Sequence, residues 1–384
     1  MQPVKKNILI VSVANSWGGG EEFLLRLFEN VKDYNFVFVS PPGESYGIFQ
    51  QNSIKVILIK SLKKIFRNGD SWAFISKIKI ACNVFVSTFF LIRAIFHYKV
   101  DFILANGNFA ALQSLPAALL TSKKILVMQH LIYKEVSIEA KILRTLNRFI
   151  FRIVCVSNSV EENVRGILIS RSHNKIITIR HGIEPPVFDM ITNNGHNSIR
   201  VGVVGSIIRL KSIDTIIFAV NRILPDNKNV FLRIYGNVRT SEPDSLVYET
   251  ELKKMIKESG NSDKICFCGF EKSKQKLYSD IDIVINYSKI AEAFSFTVLE
   301  AMAFGKIVIA SDIGGPKEII TNGYDGFLIA PSDAEALYQK LGYCIRNFHS
   351  DEMIRVKNNA RKTVEERFSM KNFSQQYKRL FDSV

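Results

Sequence analysis

Cysteine is scarce in this sequence, and its arrangement excludes two common uses. Five cysteines are spread over 384 residues, and an odd, scattered set does not form a disulfide framework. Only Cys266 and Cys268 lie close together, and no second pair completes a zinc site. We therefore expect a reducing, cytoplasmic environment.

Long hydrophobic runs are also missing. A bilayer requires about 20 consecutive apolar residues. The run Phe102–Ser122 is long enough but is interrupted by Asn106 and Pro116, and the more apolar run Ile80–Ile92 is too short. The apolar residues that follow Lys5 and Lys6 lead into a glycine triplet, so they predict a first β-strand and not a signal peptide. The sequence predicts no membrane span.

Acidic residues are few in the N-terminal half. Residues 1–187 contain 24 Lys and Arg against 12 Asp and Glu, whereas the remaining residues contain 27 against 24. Such a field attracts anionic partners. No aromatic–basic motif typical of nucleic-acid binding is present, so we expect phosphorylated ligands or an anionic membrane surface instead. Two groups of residues favour peripheral membrane contact: Lys60, Lys63, Lys64 and Arg67 around Ile65 and Phe66, and a basic helix face of Arg144, Arg148 and Arg152.

Short apolar runs alternate with helix-period segments along the chain, which has no repeats. The predicted strands are Ile8–Val13, Phe36–Val39, Val56–Ile59, Phe102–Ala105, Lys124–Met128, Ile153–Val156, Ile176–Ile179, Arg200–Val204, Val230–Tyr235, Ile265–Cys268, Ile281–Asn286 and Ile307–Ala310. Continuous apolar runs are typical of parallel strands covered on both faces. The pattern predicts an α/β protein of two doubly wound, Rossmann-like domains whose strand ends face a cleft. We place the domains at 1–186 and 187–365, with a linker around Glu184–Ser198.

The most informative motif runs from Glu292 to Glu318. Seven residues separate its second glutamate, Glu300, from the first, and Glu300 lies inside a predicted helix that begins near Thr297. The helix N-terminus offers free N–H groups to an anion, and a carboxylate on each side can accept hydrogen bonds from sugar hydroxyls. The sequence therefore predicts a sugar–diphosphate site lined by Glu292, Ala293, Phe294, Ser295, Phe296, Thr297 and Glu300.

This stretch resembles the E-x7-E region of family 4 of the retaining glycosyltransferases, which have the GT-B fold. About a dozen positions match across Glu292–Glu318. The resemblance implies that Glu292 binds hydroxyls of the donor sugar and that Glu300 binds the nucleotide ribose. It also implies that a C-terminal helix, about residues 366–384, packs back on the first domain, which binds the acceptor.

A second element, Gly205–Asp214, follows the first strand of the second domain. Cations at the mouth of a strand can clamp a diphosphate without a metal ion. The family pattern G-R-L-x-x-x-K-G places its lysine at Lys211, but Ser206 replaces the arginine and Ser212 replaces the second glycine. We expect Arg209, inside the same loop, to supply the missing cation.

Further candidates lie at other strand ends. Gly19 and Gly20 belong to a segment, Trp17–Phe23, that resembles the family's G-G-x-E loop, whose glycines let the backbone reach donor phosphate and acceptor. His130 follows a strand where the family often has a histidine facing the sugar, and a satisfied structural histidine is the alternative. His181 is interpreted as structural. Gly236 and Phe270 occupy the positions of the family's base-binding loops.

The chain is therefore interpreted as a metal-independent retaining glycosyltransferase that needs no cofactor. The resemblance implies a UDP-hexose donor and a glycan or lipid-linked glycan acceptor, as in bacterial surface-polysaccharide synthesis. Asp280 and Asp282 open a predicted strand, away from the strand ends that bind ligand, so they are interpreted as a strand start and not as metal ligands. Two alternatives remain, a sugar-nucleotide epimerase of the same architecture and a non-catalytic sugar-nucleotide-binding protein.

Overall fold

The computed structural model describes residues 5–52, 54–62, 74–186, 198–239 and 243–384. Internal contacts divide the chain into two compact units. Unit 1 comprises the residues up to His181 together with Met370–Val384, and unit 2 comprises Gly182–Ser369. Most of the predicted linker, Glu184–Ser198, lies outside the described residues.

Unit 1 is built on a seven-stranded parallel sheet of order β3-β2-β1-β4-β5-β6-β7. Its strands are β1 (Asn7–Val11), β2 (Asn35–Ser40), β3 (Val56–Leu58), β4 (Phe102–Asn106), β5 (Lys124–Gln129), β6 (Arg152–Cys155) and β7 (Ile176–Thr178). Its helices are α1 (Gly19–Asn30), α2 (Glu44–Gln51), α3 (Phe74–His97), α4 (Asn108–Leu120), α5 (Ile138–Leu146), α6 (Asn158–Ile167) and, at the C-terminus, α14 (Met370–Asp382). The central strands are buried because helices cover both faces of a doubly wound sheet.

Helix α14 belongs to unit 1 through an aromatic cluster. Phe373 and Tyr377 lie with ring centroids 5.9 and 5.7 Å from that of Phe23 on α1, and Phe381 packs 5.5 Å from Phe102 of β4. All five rings are buried. Aromatic pairs of this kind contribute about 0.5–1.5 kcal/mol beyond the burial of their area, so α14 is an integral part of the unit.

Unit 2 repeats the plan with six parallel strands in the order β10-β9-β8-β11-β12-β13. These are β8 (Ile199–Val204), β9 (Val230–Tyr235), β10 (Ile265–Gly269), β11 (Ile283–Asn286), β12 (Ile307–Ser311) and β13 (Phe327–Ile329). The helices are α7 (Ile213–Ile223), α8 (Pro243–Glu258), α9 (Lys274–Ser279), α10 (Phe296–Ala303), α11 (Gly315–Ile319), α12 (Ala334–Arg346) and α13 (Asp351–Arg367). In both sheets the chain order reverses beside the first strand of the unit, where such folds bind ligands at the carboxyl ends of the strands.

Two expectations about local structure are wrong. Strand β13 was not predicted, because a three-residue strand is too short to give a periodic signal. Arg144, Arg148 and Arg152 do not share a helix face, since α5 ends at Leu146, Arg148 lies in a short 3-10 turn and Arg152 begins β6. The spacing of four was therefore a coincidence of three different elements.

Helix α3 carries an unusual outer face. Phe85, Phe89 and Phe96 are 79%, 63% and 70% exposed, and Val86 and Phe90 are exposed beside them. None of the described helices, α3 included, is long and apolar enough to cross a bilayer. We call these five residues the α3 apolar face.

Candidate active site

The carboxyl edge of the unit 2 sheet gathers most of the side chains predicted from the motifs. Because all six strands are parallel, the segments that follow β8, β9, β10 and β11 meet at this edge. Lys211 follows β8, Lys274 follows β10, and Glu292 follows β11. We call the group Lys211, Lys274, Tyr278, Ser288, Glu292 and Glu300 the carboxyl-edge site.

Lys211 and Glu292 form the central pair of this site. The Lys211 Nζ lies 2.5 Å from Glu292 Oε1, and the Ser288 hydroxyl donates to the same oxygen over 2.8 Å. Less than a fifth of either charged side chain is exposed, so solvent screens the pair weakly. Two residues 81 positions apart in sequence are thus held together as one unit.

The loop that carries Glu292 is held by backbone packing. A Cβ at Gly314 would lie 2.3 Å from the Glu292 carbonyl oxygen, and one at Gly315 would lie 2.5 Å from Phe294 Cα. The Gly315 N–H donates to the Glu292 carbonyl over 2.7 Å. Glycine is therefore required at both positions by the close approach of the 292–294 loop.

Helix α10 begins directly after this loop. Ser295 is its N-cap, and the buried hydroxyl accepts a hydrogen bond from the Val298 N–H. Asn286, the last residue of β11, donates to the same hydroxyl over 3.2 Å. The capped N-terminus of α10, with Phe296 and Thr297 in its first turn, therefore points its dipole toward the carboxyl edge.

Glu300 lies one turn inside α10 and is almost fully buried. Its Oε2 accepts from the Tyr278 hydroxyl over 3.1 Å and lies 2.9 Å from the Lys274 Nζ. About half of the Lys274 side chain is exposed, so this ion-pair partner reaches the buried carboxylate from the solvent side. A carboxylate held in this way can accept a hydroxyl donor from a ligand in addition to its protein partners.

Arg209 lies away from this group. Its guanidinium donates to Asp244 over 3.1 Å and to Glu251 over 2.9 Å, and it stacks 4.9 Å above the ring of Tyr248. These three residues belong to α8. The two carboxylates raise the pKa of Arg209 further above its usual range by accepting its hydrogen bonds. The structure thus brings Lys211, Glu292 and Glu300 to one edge and turns Arg209 toward α8.

Gly236 and Phe270 follow β9 and β10. A Cβ at Gly236, whose φ is +142°, would lie 1.9 Å from the Gly205 carbonyl oxygen, so only glycine fits this position. Phe270 is 71% exposed, which makes it a flat apolar surface at the carboxyl edge. Packing therefore requires glycine at position 236, whereas the Phe270 side chain is accessible to a ligand.

Asp280 and Asp282 lie before β11, at the opposite edge of the sheet. Arg200 donates to Asp280 over 3.0 Å and to Asp282 over 3.3 Å, and the Tyr235 hydroxyl donates to Asp280 over 2.6 Å. The pair is thus used within the fold. In the part of the chain that the structure describes, no three His, Cys, Asp or Glu side chains come together as a metal site.

Unit 1 has its own group of polar residues at the strand ends. Gly19 and Gly20 form the first turn of α1, and a Cβ at Gly20 would lie 3.6 Å from Asn106 Nδ2 and 3.7 Å from His130 Cδ2. Glu21 is 6% exposed, and its Oε1 accepts from Asn106 Nδ2 over 3.3 Å. The Ser12 hydroxyl also donates to Glu21. We call Ser12, Gly19, Gly20, Glu21, Asn106 and His130 the α1 cluster.

Burial shifts both titratable groups of the α1 cluster toward their neutral forms. The pKa of Glu21 is raised to about 7, and that of His130 is lowered to about 4, in each case chiefly because a charge would lose its hydration. The buried His130 Nε2 has no hydrogen-bond partner among the described residues, and the ring stacks parallel to that of His181 at 6.2 Å. Phe23 packs against both histidines.

The comparisons with known proteins agree with the motifs. Residues 189–363 match the family profile of glycosyl transferases group 1. This segment is a group 1 glycosyl transferase domain. The group 1 domain spans nearly all of unit 2, and the family resemblance predicted from Glu292–Glu318 is confirmed.

Two relatives illustrate the range of similarity. An uncharacterized glycosyltransferase of Methanocaldococcus jannaschii is 29% identical over 239 residues, which cover 59% of this chain and 58% of the relative. The lipopolysaccharide core biosynthesis mannosyltransferase LpsB of Rhizobium meliloti is 31% identical over 139 residues, covering 36% of this chain and 38% of LpsB. The chain thus aligns with less than two thirds of the length of either relative.

The fold is shared over the whole chain. The crystal structure of HepE from Anabaena in complex with UDP superposes with a TM-score of 0.79 over 99% of this chain and 100% of HepE, at 20% identity. The predicted GT-B fold, with two parallel-sheet α/β units, is confirmed.

Several residues of the carboxyl-edge site were not singled out from the sequence. Lys274, Tyr278 and Ser288 carry no motif of their own, and they become visible only as partners of Glu300 and Glu292. Glu21 stands inside the quoted Trp17–Phe23 segment, but its burial could not be read from that pattern. Of these four residues, Ser288 alone stands directly after a predicted strand, two positions beyond Ile281–Asn286.

Proposed function

We propose that this chain is a retaining glycosyltransferase that transfers a hexose from a nucleotide sugar, a UDP-hexose, to a glycan or lipid-linked glycan. The observation that carries the proposal is the contact of Lys211 with Glu292 beside the capped start of α10, within the group 1 domain. The proposal is supported by the LpsB relative, whose name assigns it to lipopolysaccharide core synthesis, and by the UDP complex of HepE.

In the proposed reaction, negative charge develops on the β-phosphate oxygen as its bond to the sugar C1 breaks. Lys211 stabilises this charge as a cation that Glu292 holds in place, and the N-terminus of α10 adds its dipole. Glu292 also accepts hydrogen bonds from the sugar hydroxyls, while Glu300 accepts them from the ribose. Phe270, exposed at the carboxyl edge, supplies a surface for the base.

The acceptor hydroxyl oxygen forms the new bond to C1, and the departing diphosphate takes up its proton. Attack from the same face as the leaving group retains the configuration at C1. Because cations and backbone dipoles stabilise the diphosphate in this scheme, we propose that no metal ion or other cofactor is required. Unit 1 binds the acceptor, with the α1 cluster at its strand ends and a neutral His130 that hydrogen-bonds the acceptor.

A product assay tests the proposal. Purified protein is incubated with UDP-glucose, UDP-galactose or GDP-mannose, with water as the surrogate acceptor, and the products are followed by proton NMR. We expect nucleoside diphosphate and a free hexose whose first-formed anomer has the donor's configuration, with turnover unchanged by EDTA. An isomeric nucleotide sugar would indicate an epimerase, and binding without any product would indicate a non-catalytic protein. Loss of turnover in EDTA that Mn²⁺ restores would contradict metal independence.

We also propose that unit 1 contacts an anionic membrane surface through the α3 apolar face. Aromatic side chains with this exposure are suited to the interface of a bilayer, and the exposed Arg93 and Lys99 on the same helix and directly after it match anionic headgroups. Lys60 is also exposed, whereas Lys63, Lys64, Ile65, Phe66 and Arg67 lie outside the described residues.

Vesicle sedimentation tests this contact. We expect the protein to sediment with phosphatidylcholine vesicles that contain phosphatidylglycerol, less so at high salt because screening shortens the range of charge attraction. The double substitution Phe85→Ser and Phe89→Ser should abolish sedimentation, whereas Ile354→Ser, at an exposed apolar position of unit 2, should not. Equal sedimentation of the wild type with neutral vesicles, or none with either, would contradict the proposal.

A further inference from the structure

The Gly205–Asp214 segment after β8 lacks the arginine of the family pattern, but an arginine from another segment contacts the residue that replaces it. Ser206 occupies the position of the missing arginine. The Arg239 Nε donates to the Ser206 hydroxyl over 3.2 Å. Arg239 follows β9, 33 positions further along the chain, so no local reading of the Gly205–Asp214 segment could include it.

The backbone brings Arg239 to this position. Beyond the ends of β8 and β9 the two segments continue side by side: the Gly205 N–H donates to the Tyr235 carbonyl and the Ile207 N–H donates to the Asn237 carbonyl, over 2.9 and 3.0 Å. Ile207 and Val238 form a further parallel bridge. The close approach of Gly236 to Gly205 permits this pairing, which sets Arg239 beside Ser206.

Lys211 approaches the same turn. A Cβ at Gly205 would lie 3.7 Å from Lys211 Cε. One lysine and one arginine therefore converge on Gly205 and Ser206, and the serine side chain is short enough to leave room for a guanidinium that arrives from β9. Arg209 is directed toward α8, where it contacts Asp244 and Glu251.

We propose that Arg239, and not Arg209, is the second diphosphate-binding cation. This inference rests on the proposed function. The bond that breaks joins the sugar C1 to the β-phosphate oxygen, which keeps the electron pair. The planar guanidinium of Arg239 presents two N–H donors to that phosphate, while Lys211 acts as a point charge beside it.

The test measures UDP affinity by titration calorimetry and turnover of UDP-glucose in parallel. Arg239→Ala should weaken UDP binding by about 10- to 100-fold, the loss typical of a hydrogen bond to a charged group. Arg239→Lys should keep part of the affinity, since it retains the charge without the fork. Arg209→Ala is the matched control and should bind UDP as the wild type does. Adding Ser206→Arg to Arg239→Ala should restore part of the affinity, because it returns the cation to the family position.

Three outcomes would overturn the inference. If Arg239→Ala binds UDP as tightly as the wild type, Arg239 does not contact the diphosphate. If Arg209→Ala loses as much affinity as Arg239→Ala, the assignment between the two arginines is wrong. If the wild type binds none of UDP, GDP and ADP, the proposed function fails and this inference fails with it. If the wild type binds UDP and only the arginine variants behave otherwise than expected, this inference alone fails.

Discussion

Both units have polar residues at the carboxyl ends of their strands, but the carboxylates in the two units have different partners. In the carboxyl-edge site of unit 2, Lys211 pairs with Glu292 and Lys274 pairs with Glu300. In the α1 cluster of unit 1, Glu21 accepts hydrogen bonds from the Ser12 hydroxyl and the Asn106 amide, and burial raises its pKa to about 7. Residue pairs with opposite charge can stay ionised when partly buried, whereas a buried carboxyl without a cation becomes neutral.

This difference explains why the sequence predicted the site in unit 2 more readily than the polar cluster in unit 1. A paired site needs particular charged residues at particular spacings, which a family pattern records, and unit 2 accordingly matches the group 1 profile. The pKa values of buried groups such as Glu21 and His130 depend instead on the side chains that exclude water from them. Substitutions can test whether activity depends on the ion pairs of unit 2 and whether the pH dependence of stability depends on burial in unit 1.

The largest expected effect is at the central ion pair. Lys211→Ala should lower turnover by on the order of 10²-fold or more, as loss of a preorganised charge does. Lys253→Ala, which breaks an exposed ion pair with Glu249 on α8, is the control and should leave the steady-state kinetics unchanged. Turnover of Lys211→Ala at the wild-type rate would mean that the chemistry of unit 2 does not depend on this pair.

For the α1 cluster the expected effect is on the pH dependence of stability. Between pH 4.5 and 7 the folded chain holds a proton on Glu21 that the unfolded chain has released, so stability falls as pH rises through this window. Relative to Glu21→Gln, the wild type should lose up to about 3 kcal/mol of unfolding free energy from pH 5 to pH 8. Urea unfolding of both proteins at both pH values measures this loss. An equal change in the unfolding free energy of the wild type and the variant would show that Glu21 is not desolvated.

His130 should shift stability in the opposite sense. Its folded pKa of about 4 lies below the ordinary value of 6.5, so the unfolded chain takes up a proton first and stability falls as pH falls from 6.5 to 4. From pH 7 to pH 5 the wild type should lose about 2 kcal/mol relative to His130→Asn. The same urea experiment applies, and equal losses in both proteins would contradict the burial of this ring.

A smaller effect is expected at the second glutamate of unit 2. Glu300→Ala should weaken UDP and UDP-glucose binding alike, by about tenfold, because the proposed ribose contact is common to both and is worth about 1.4 kcal/mol. Calorimetry with both ligands measures it. Glu300→Gln keeps the shape of the buried side chain and separates loss of the contact from loss of packing. Unchanged affinity for UDP in both variants would remove Glu300 from the ribose site.

The smallest effect concerns Ser212, which replaces the second glycine of the family pattern in the Gly205–Asp214 segment. Ser212 has a φ of +45°, and its buried hydroxyl has no hydrogen-bond partner within the part of the chain that the structure describes. Ser212→Gly should raise the unfolding free energy by about 0.5–1 kcal/mol, since relief of the left-handed conformation exceeds the added entropy of glycine. Thermal unfolding measures the gain, and a lower Tm would show that the serine is not strained.

The sequence alone determined the features that follow from local pattern. Continuous apolar runs with helical segments between them predicted the two α/β units, and twelve of the thirteen described strands were placed near their observed bounds. The spacing of Glu292 and Glu300 around a helix start predicted a candidate site in unit 2. Both depend on residues that are close in the chain, where geometry is set by helix and strand periods.

Only the tertiary structure decided which charges meet. Arg209 pairs with α8 and Arg239 lies beside Ser206 because β8 and β9 are neighbours in the sheet, a fact that no spacing within one loop contains. The pKa values of Glu21 and His130 likewise depend on the side chains that exclude water from them. Desolvation and long-range pairing are properties of packed elements, and for that reason they appear only once the chain is folded.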